Sequence, residues 1–240
     1  MKKIIILLIA LICLLTTASC SNSTENKPSV STPKVTEPAP TAPKKALEGI
    51  DVSSFNGKIN WKKVKADKID FAIIRIGGRG YGESGSIYQD EYALYNLKQA
   101  QKYGIKTGAY FFSQATSDKE AKEEAKFIAK TLGGIKITLP IGYDVERIKN
   151  DTSRIDNVNY KDSVRYAKIF IKTVKKLGYE PMVYIGEDSI LKAKDFSNSY
   201  IWYADYKGDT ENNPYKICQY SKEGKISGIN GNVDLDRMYN

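Results

Sequence analysis

The chain has 240 residues, a formal charge of +9 and no histidine. Without an imidazole, Ser-His-Asp and Cys-His hydrolases are excluded, because their nucleophile has no base to take its proton. Zinc amidases, peptidases and deacetylases need histidine ligands or several cysteines, so hydrolytic chemistry is left to carboxylates.

Residues 1–19 have the layout of a secretory signal peptide: Lys2 and Lys3, an apolar run from Ile4 to Leu15, then Thr16-Thr17-Ala18-Ser19. The run is too short and wrongly flanked for a stable transmembrane span. Cys20, directly after small residues, resembles the bacterial lipobox, in which the thiol is lipidated before cleavage. The alternative is a cut near Ser19 with an incidental cysteine. Residues 20–48 hold five of the eight prolines and almost no large apolar side chain, so they read as a tether that buries no core. Once Cys13 leaves with the signal and Cys20 carries lipid, Cys218 is alone, and the domain must be held by its core rather than by a disulfide. Lys2 and Lys3 contribute two of the nine charges and the tether one, leaving about +6 on residues 49–240. The lysines are scattered without a dense basic stripe, so no nucleic-acid partner is expected. Anionic wall polymers or lipid headgroups fit an exported basic domain better, and a plain solvated surface explains the charge equally well.

From Gly49 the chain alternates short apolar segments with amphipathic ones. Strands are predicted at Ile50 to Val52, Phe71 to Ile76, Thr107 to Phe112, Leu139 to Val145, Met182 to Ile185 and Tyr200 to Ala204, with two shorter ones near Ile217 and Val233. Helices are predicted over Tyr88 to Tyr103, Ser117 to Leu132 and Tyr160 to Leu177, each followed by a glycine stop (Gly104, Gly133, Gly178). This alternation implies a parallel α/β sheet with helices outside. Up to eight strands suggest a compact barrel whose last helices are short or missing; an open doubly wound sheet is the alternative.

Parallel α/β folds place their chemistry at the carboxyl ends of strands. Those positions carry Asp51, Ser53, Arg75, Phe112, Gln114, Asp144, Glu146, Tyr184, Trp202, Asp205, Gln219, Asp234 and Asp236, a set rich in acids and aromatics. Asp144 and Glu146 are two apart on a strand and therefore face one cleft. Close carboxylates push their pKa values apart, as glycoside cleavage requires. Two solvent-facing acids at a strand end are the plain alternative. Asp51 and Asp234 belong to the first and last strands, which become neighbours if a barrel closes. Alternatively, Asp51 caps the Ser53-Ser54 turn and Asp234 pairs with Arg237. Trp202 and Tyr206 are candidates for sugar stacking or for the core. Gly80, Gly82 and Gly85 form a GxGxxG placed after a strand and before a helix, but the next strand ends in Phe111-Phe112-Ser113-Gln114, with no acid to hold a ribose. It reads as a flexible loop.

The segment from Gly49 to Trp61 (GIDVSSFNGKINW) resembles the opening of glycoside hydrolase family 25, the Chalaropsis-type lysozymes. The order of blocks continues with Phe71 to Gly78, Gly108 to Ser113 (which includes Tyr110), Asp144-Val145-Glu146, Trp202 to Tyr206, Gln219 to Ser221 and Gly231 to Asp236. The resemblance implies a TIM-like β/α barrel with eight strands and fewer than eight helices. It also implies hydrolysis of the β-1,4 bond between N-acetylmuramic acid and N-acetylglucosamine in peptidoglycan. By the same resemblance Glu146 is the general acid/base, Asp144 orients the substrate's acetamido group as nucleophile, and Asp51 and Asp234 support them. Tyr110, Phe112, Tyr184, Trp202, Tyr206, Gln219 and Arg75 are the expected substrate-binding residues. Cys218 stands where the family often has tryptophan, which would thin the aromatic floor of one sugar subsite. No cofactor or metal is expected, and the partners are glycan strands and, through Cys20, the outer face of the cell membrane, with the domain a monomer. Two other readings stay open: a glycan-binding lipoprotein without turnover, and a carboxylate glycosidase acting on another amino-sugar polymer.

Overall fold

A computed structural model describes residues 46–149, 151–207 and 215–239. The proposed lipidation site and most of the tether lie outside these residues. The strands are β1 (Ala46–Val52), β2 (Phe71–Arg79), β3 (Ile87–Gln89), β4 (Lys106–Phe112), β5 (Ile141–Asp144), β6 (Pro181–Ile185), β7 (Tyr200–Ala204), β8 (Ile217–Gly224) and β9 (Val233–Tyr239). The helices are α1 (Trp61–Ala66), α2 (Ala93–Lys102), α3 (Asp118–Leu132) and α4 (Tyr160–Lys176).

The sheet order β1-β9-β8-β7-β6-β5-β4-β2, with β1 also paired to β2, closes an eight-stranded barrel, and β3 hangs from β2 as a hairpin. Six of the strand-to-strand steps around the ring are parallel, as expected, but β9 runs antiparallel to both β8 and β1. The turn between β8 and β9 is too short for a crossover helix, so β9 can only fold back. Helices cover the outside after β1, β3, β4 and β5, while β6 is followed only by a 3-10 turn at Ala193–Phe196.

Alternation along each strand divides the apolar side chains into two cores. Phe71, Ile73, Tyr110, Met182, Tyr184, Trp202 and Ile217 fill the barrel interior. Ile50, Ile74, Phe111, Tyr143, Val183 and their neighbours face outward and pack against Leu97, Ile128, Phe170 and other helix residues. Ser117 and Asn159 cap α3 and α4 by accepting the backbone N–H groups of Glu120 and Asp162. Gly104, Gly133 and Gly178 take positive φ just past α2, α3 and α4, as helix stops should.

Two expectations need correction. The helix predicted from Tyr88 begins only at Ala93, because Ile87–Gln89 pairs with Gly77 to Arg79 instead. The GxGxxG therefore joins two strands of a hairpin and opens no helix, which removes the geometry of a dinucleotide loop. Helix α1 was not predicted; Asn60 caps it by accepting the Lys63 N–H, and Trp61 is buried beneath it with its indole N–H on Asn96.

Candidate active site

At the carboxyl end of the parallel strands a cavity of about 250 Å³ is lined by Asp51, Tyr110, Asp144, Glu146, Tyr184, Trp202, Tyr206, Gln219 and Asp234, together with Glu187, Asp188 and Lys222. A larger hollow of about 590 Å³ beside α4 holds one carboxylate, Asp195. Another of about 450 Å³ at the opposite end of the barrel holds only Glu180. Of these three, only the smaller cavity gathers several acids among the described residues, which favours it for acid/base chemistry.

The strand register explains the gathering. Gly142 and Asp144 share the inner face of β5, and Glu146 continues that face past its end, while Tyr143 and Val145 are buried on the outer side. Asp51 on β1 lies directly opposite Asp234 on β9. Asp234 reaches this end of the barrel because it begins an antiparallel strand; the rule about carboxyl ends found it for the wrong reason.

Polar contacts fix the lining. Gln219 Nε2 donates to Asp51 Oδ2 at 2.6 Å, and Gln219 Oε1 accepts the hydroxyls of Tyr184 (2.8 Å) and Tyr206 (2.7 Å). Trp202 is only 2% exposed; its Nε1 donates to Asp236 Oδ1 at 2.7 Å, and Tyr110 and Tyr184 meet its ring edge-on. Trp202 is therefore mostly barrel core, with little ring face left for a sugar. The buried Asp144 Oδ1 has no hydrogen-bonding group of the protein beside it. The acid-bearing strand is braced from β4: the Ser113 N–H donates to the Asp144 carbonyl (2.7 Å) and Gln114 Nε2 to the Glu146 carbonyl (3.2 Å).

Burial dominates the electrostatics. Asp144 is held well above the usual carboxylate range by burial and by the charge of Glu146, against the pull of Arg75. Glu146 is raised to about 7 by burial and by Asp188, with Lys149 opposing. Lys149 bridges Asp188 at 2.8 Å. Asp51 is raised by burial and by Asp236 and Asp234, and Asp236 reaches about 8 for want of solvent. So many buried acids of one sign cannot all be ionised, and protons are retained at neutral pH. The site thus offers an acid able to donate a proton and carboxylate oxygens facing the same space, which is what cleavage of a glycosidic bond asks of a protein.

Several sequence expectations are placed differently. Arg75 and Phe112 do not line the cavity; Arg75 is turned aside to Asp90 and Ser54. Asp51 bonds Gln219 rather than capping a turn, and the Ser54 N–H goes to Asp90 instead. Arg237 binds Glu48, not Asp234. Cys218 faces outward beside Tyr203 and is absent from the cavity lining, so it thins no sugar floor there. Glu187, Asp188 and Lys222 were missed. Glu187 lies two residues past the end of β6, as Glu146 lies two past the end of β5, and Asp188 is one residue further, so the same rule carried three residues beyond β6 reaches both.

The model of glycosyl hydrolases family 25 matches residues 50–229. The autolytic lysozyme of Clostridium acetobutylicum is 26% identical over 199 residues, covering 80% of this chain and 56% of that protein. The uncharacterized protein YegX of Escherichia coli K12 is 25% identical over 202 residues, covering 79% and 68%. Among solved structures, the modular autolysin LytC of Streptococcus pneumoniae superposes with a TM-score of 0.68 at 28% identity, over 81% of this chain. The chain spans about half (47%) of LytC, which has also been solved with a synthetic peptidoglycan ligand. The bacterial lysozyme of Streptomyces coelicolor has a TM-score of 0.63 over 80% of the chain and 91% of that structure, and at 24% identity it attests the fold.

Proposed function

The chain belongs to glycosyl hydrolases family 25, and from that premise we propose that it is a muramidase, cutting the β-1,4 bond from N-acetylmuramic acid to N-acetylglucosamine in peptidoglycan. The observation that carries this reading is the pairing of Asp144, on the inner face of β5, with Glu146, which continues that face past its end, in a cavity whose burial lets the pair retain a proton near neutral pH.

In the proposed reaction Glu146 gives its proton to the glycosidic oxygen as the bond to the leaving sugar breaks. The carbonyl oxygen of the substrate's own acetamido group attacks the anomeric carbon. Asp144 supports that attack by accepting the acetamido N–H, for which its unpartnered Oδ1 is suited, and by countering the positive charge that develops. Water then opens the cyclic intermediate with Glu146 as base. Asp51 and Asp234 hold the sugar and balance charge, Asp51 being fixed by Gln219. Tyr110, Tyr184 and Tyr206 supply ring edges and hydroxyl oxygens to the bound sugar. The test is digestion of purified peptidoglycan with mass spectrometry of the products. Reducing ends at muramic acid are expected, with a loss of roughly a hundred- to ten-thousandfold in rate for Glu146→Gln. Unchanged cleavage by that variant would remove Glu146 from its role. Binding of peptidoglycan without soluble fragments would favour a non-catalytic glycan-binding lipoprotein.

The proposal extends to location. Residues 1–19 as signal, Cys20 as lipid attachment and the rest of residues 20–48 as tether would put the domain outside the cell, at the outer face of the membrane, within reach of the wall.

A further inference from the structure

We propose that Phe55 is a sugar-stacking platform at the rim of the carboxylate cavity, extending the glycan-binding cleft over the β1–β3 side of the barrel. The inference rests on the glycan-hydrolase reading above and adds a subsite to it.

Phe55 is 88% exposed, the most exposed of the large apolar side chains among the described residues. A single exposed aromatic is ordinary; the support under this one is not. It sits on a 3-10 turn at Ser54–Asn56, four residues beyond Asp51. Ser53 Oγ accepts the Phe55 N–H, Asn56 Oδ1 accepts the Ser53 N–H at 2.9 Å, and Asn56 Nδ2 ties the turn to the Asn232 carbonyl. The guanidinium of Arg75 lies 4.8 Å from the ring centroid. That guanidinium is buried and cannot wander: its Nε and a terminal nitrogen both lie 2.9 Å from Asp90 Oδ2, and the terminal nitrogen also donates to Ser54 Oγ. The same Asp90 oxygen accepts the Ser54 N–H at 2.8 Å.

One face of the phenyl ring is thus backed by a fixed cation, and the turn that carries it is pinned at several points. Such an arrangement lowers the entropy lost when a flat partner settles on the free face. A pyranose ring in a β-1,4 chain offers that partner, because its axial C–H groups form an apolar face. Tyr88, 40% exposed on β3, stands at the same end of the barrel: its hydroxyl lies over Gly78 near the end of β2, where burial raises its pKa and the charges of Arg75, Asp90 and Asp144 act on it. The occupant continuous with the cavity is therefore the glycan strand already held there.

The test uses the full chain carrying Glu146→Gln, so that ligand is bound and not cut. Soluble peptidoglycan oligosaccharides from disaccharide to octasaccharide are titrated calorimetrically. Affinity should climb with length. Adding Phe55→Ala should flatten that climb, with a loss of about five- to tenfold on the longest oligomer that narrows as the oligomer shortens. Phe55→Trp should restore the climb, and the thermal midpoint should stay put, since the ring buries little. A parallel climb for Phe55→Ala overturns the platform, as does failure of the Glu146→Gln chain to bind any oligomer. The two readings separate cleanly. If the parent chain cleaves peptidoglycan while Phe55→Ala binds like its reference, the muramidase stands and the platform falls. If the parent chain cleaves nothing yet the length dependence runs through Phe55, the reverse holds.

Discussion

Crowding of acids at one end of the barrel has consequences residue by residue. Glu146, raised to about 7, donates a proton in the proposed reaction, so kcat/KM should fall as pH rises past about 7. Asp188 is one cause of that elevation. Asp188→Asn removes a negative neighbour and frees the Lys149 ammonium, and both changes lower the Glu146 pKa. The alkaline limb of the kcat/KM profile should therefore move to lower pH, whereas a merely structural role would scale the profile without shifting it. Asp236 bears on stability. It is buried, with a pKa raised from an ordinary 3.8 to about 8, so the folded state holds this proton more tightly than the unfolded chain does. Its contribution is fully present below the ordinary carboxylate value and is lost as pH rises through about 8. Thermal denaturation should show lower stability at pH 8 than at pH 5, and Asp236→Asn should flatten that slope. Among these residues Asp144 and Glu146 were readable because a period of two puts both on one face. The part played by Asp236 was not, since folding alone buries it, against the opposing hydrogen bond from Trp202, and brings the charge of Asp234 to bear on it.

At the level of elements, a buried network fastens α3 to the strands that carry the acids. Arg79 at the end of β2 bonds Glu124 on α3 at 2.8 Å, and Glu124 Oε2 accepts the hydroxyl of Ser113. Ser113 also meets the Tyr143 hydroxyl and, through its N–H, the Asp144 carbonyl. Replacing Arg79 by methionine leaves Glu124 buried without its cation, at a cost of about 3 kcal/mol, which should appear as a lower urea midpoint. A second seam lies inside the barrel, where a Cβ on Gly49 would come within 2.2 Å of the buried Phe71 ring. Gly49→Ala should destabilise by about 1–3 kcal/mol through overpacking, checked by the same unfolding measurement. Helices α3 and α4 were legible because cap, apolar stripe and glycine stop agree. The β3 hairpin was not: Ile87-Tyr88-Gln89 is short enough to pass for the first turn of a helix, and only its pairing with β2 decides otherwise.

For the whole molecule, β1 runs from Ala46, at the end of the barrel away from the site, toward the carboxylates at its far end. If Cys20 carries lipid as proposed, Cys20→Ala should move the exported chain from the membrane fraction to the soluble one on cell fractionation, with its cleavage of isolated peptidoglycan retained. A chain that fractionates as the parent does would count against lipidation.

By itself the sequence determined the alternation of strand and helix and the carboxylate character of the chemistry. Both follow from local rules: periodicity fixes which face a side chain takes, and the absence of histidine removes every mechanism that needs an imidazole. The tertiary structure decided the rest. Closure of β1 onto both β2 and β9 brings Asp51 opposite Asp234 across the widest sequence separation in the site, through a strand direction that the pattern of apolar residues does not encode. It also turned Arg75 from an expected sugar ligand into a support for Phe55, because Asp90, arriving on the far side of a hairpin, claims the guanidinium first. Side-chain type and spacing are local properties, whereas pairing, burial and the resulting hold on protons depend on partners that only folding brings together.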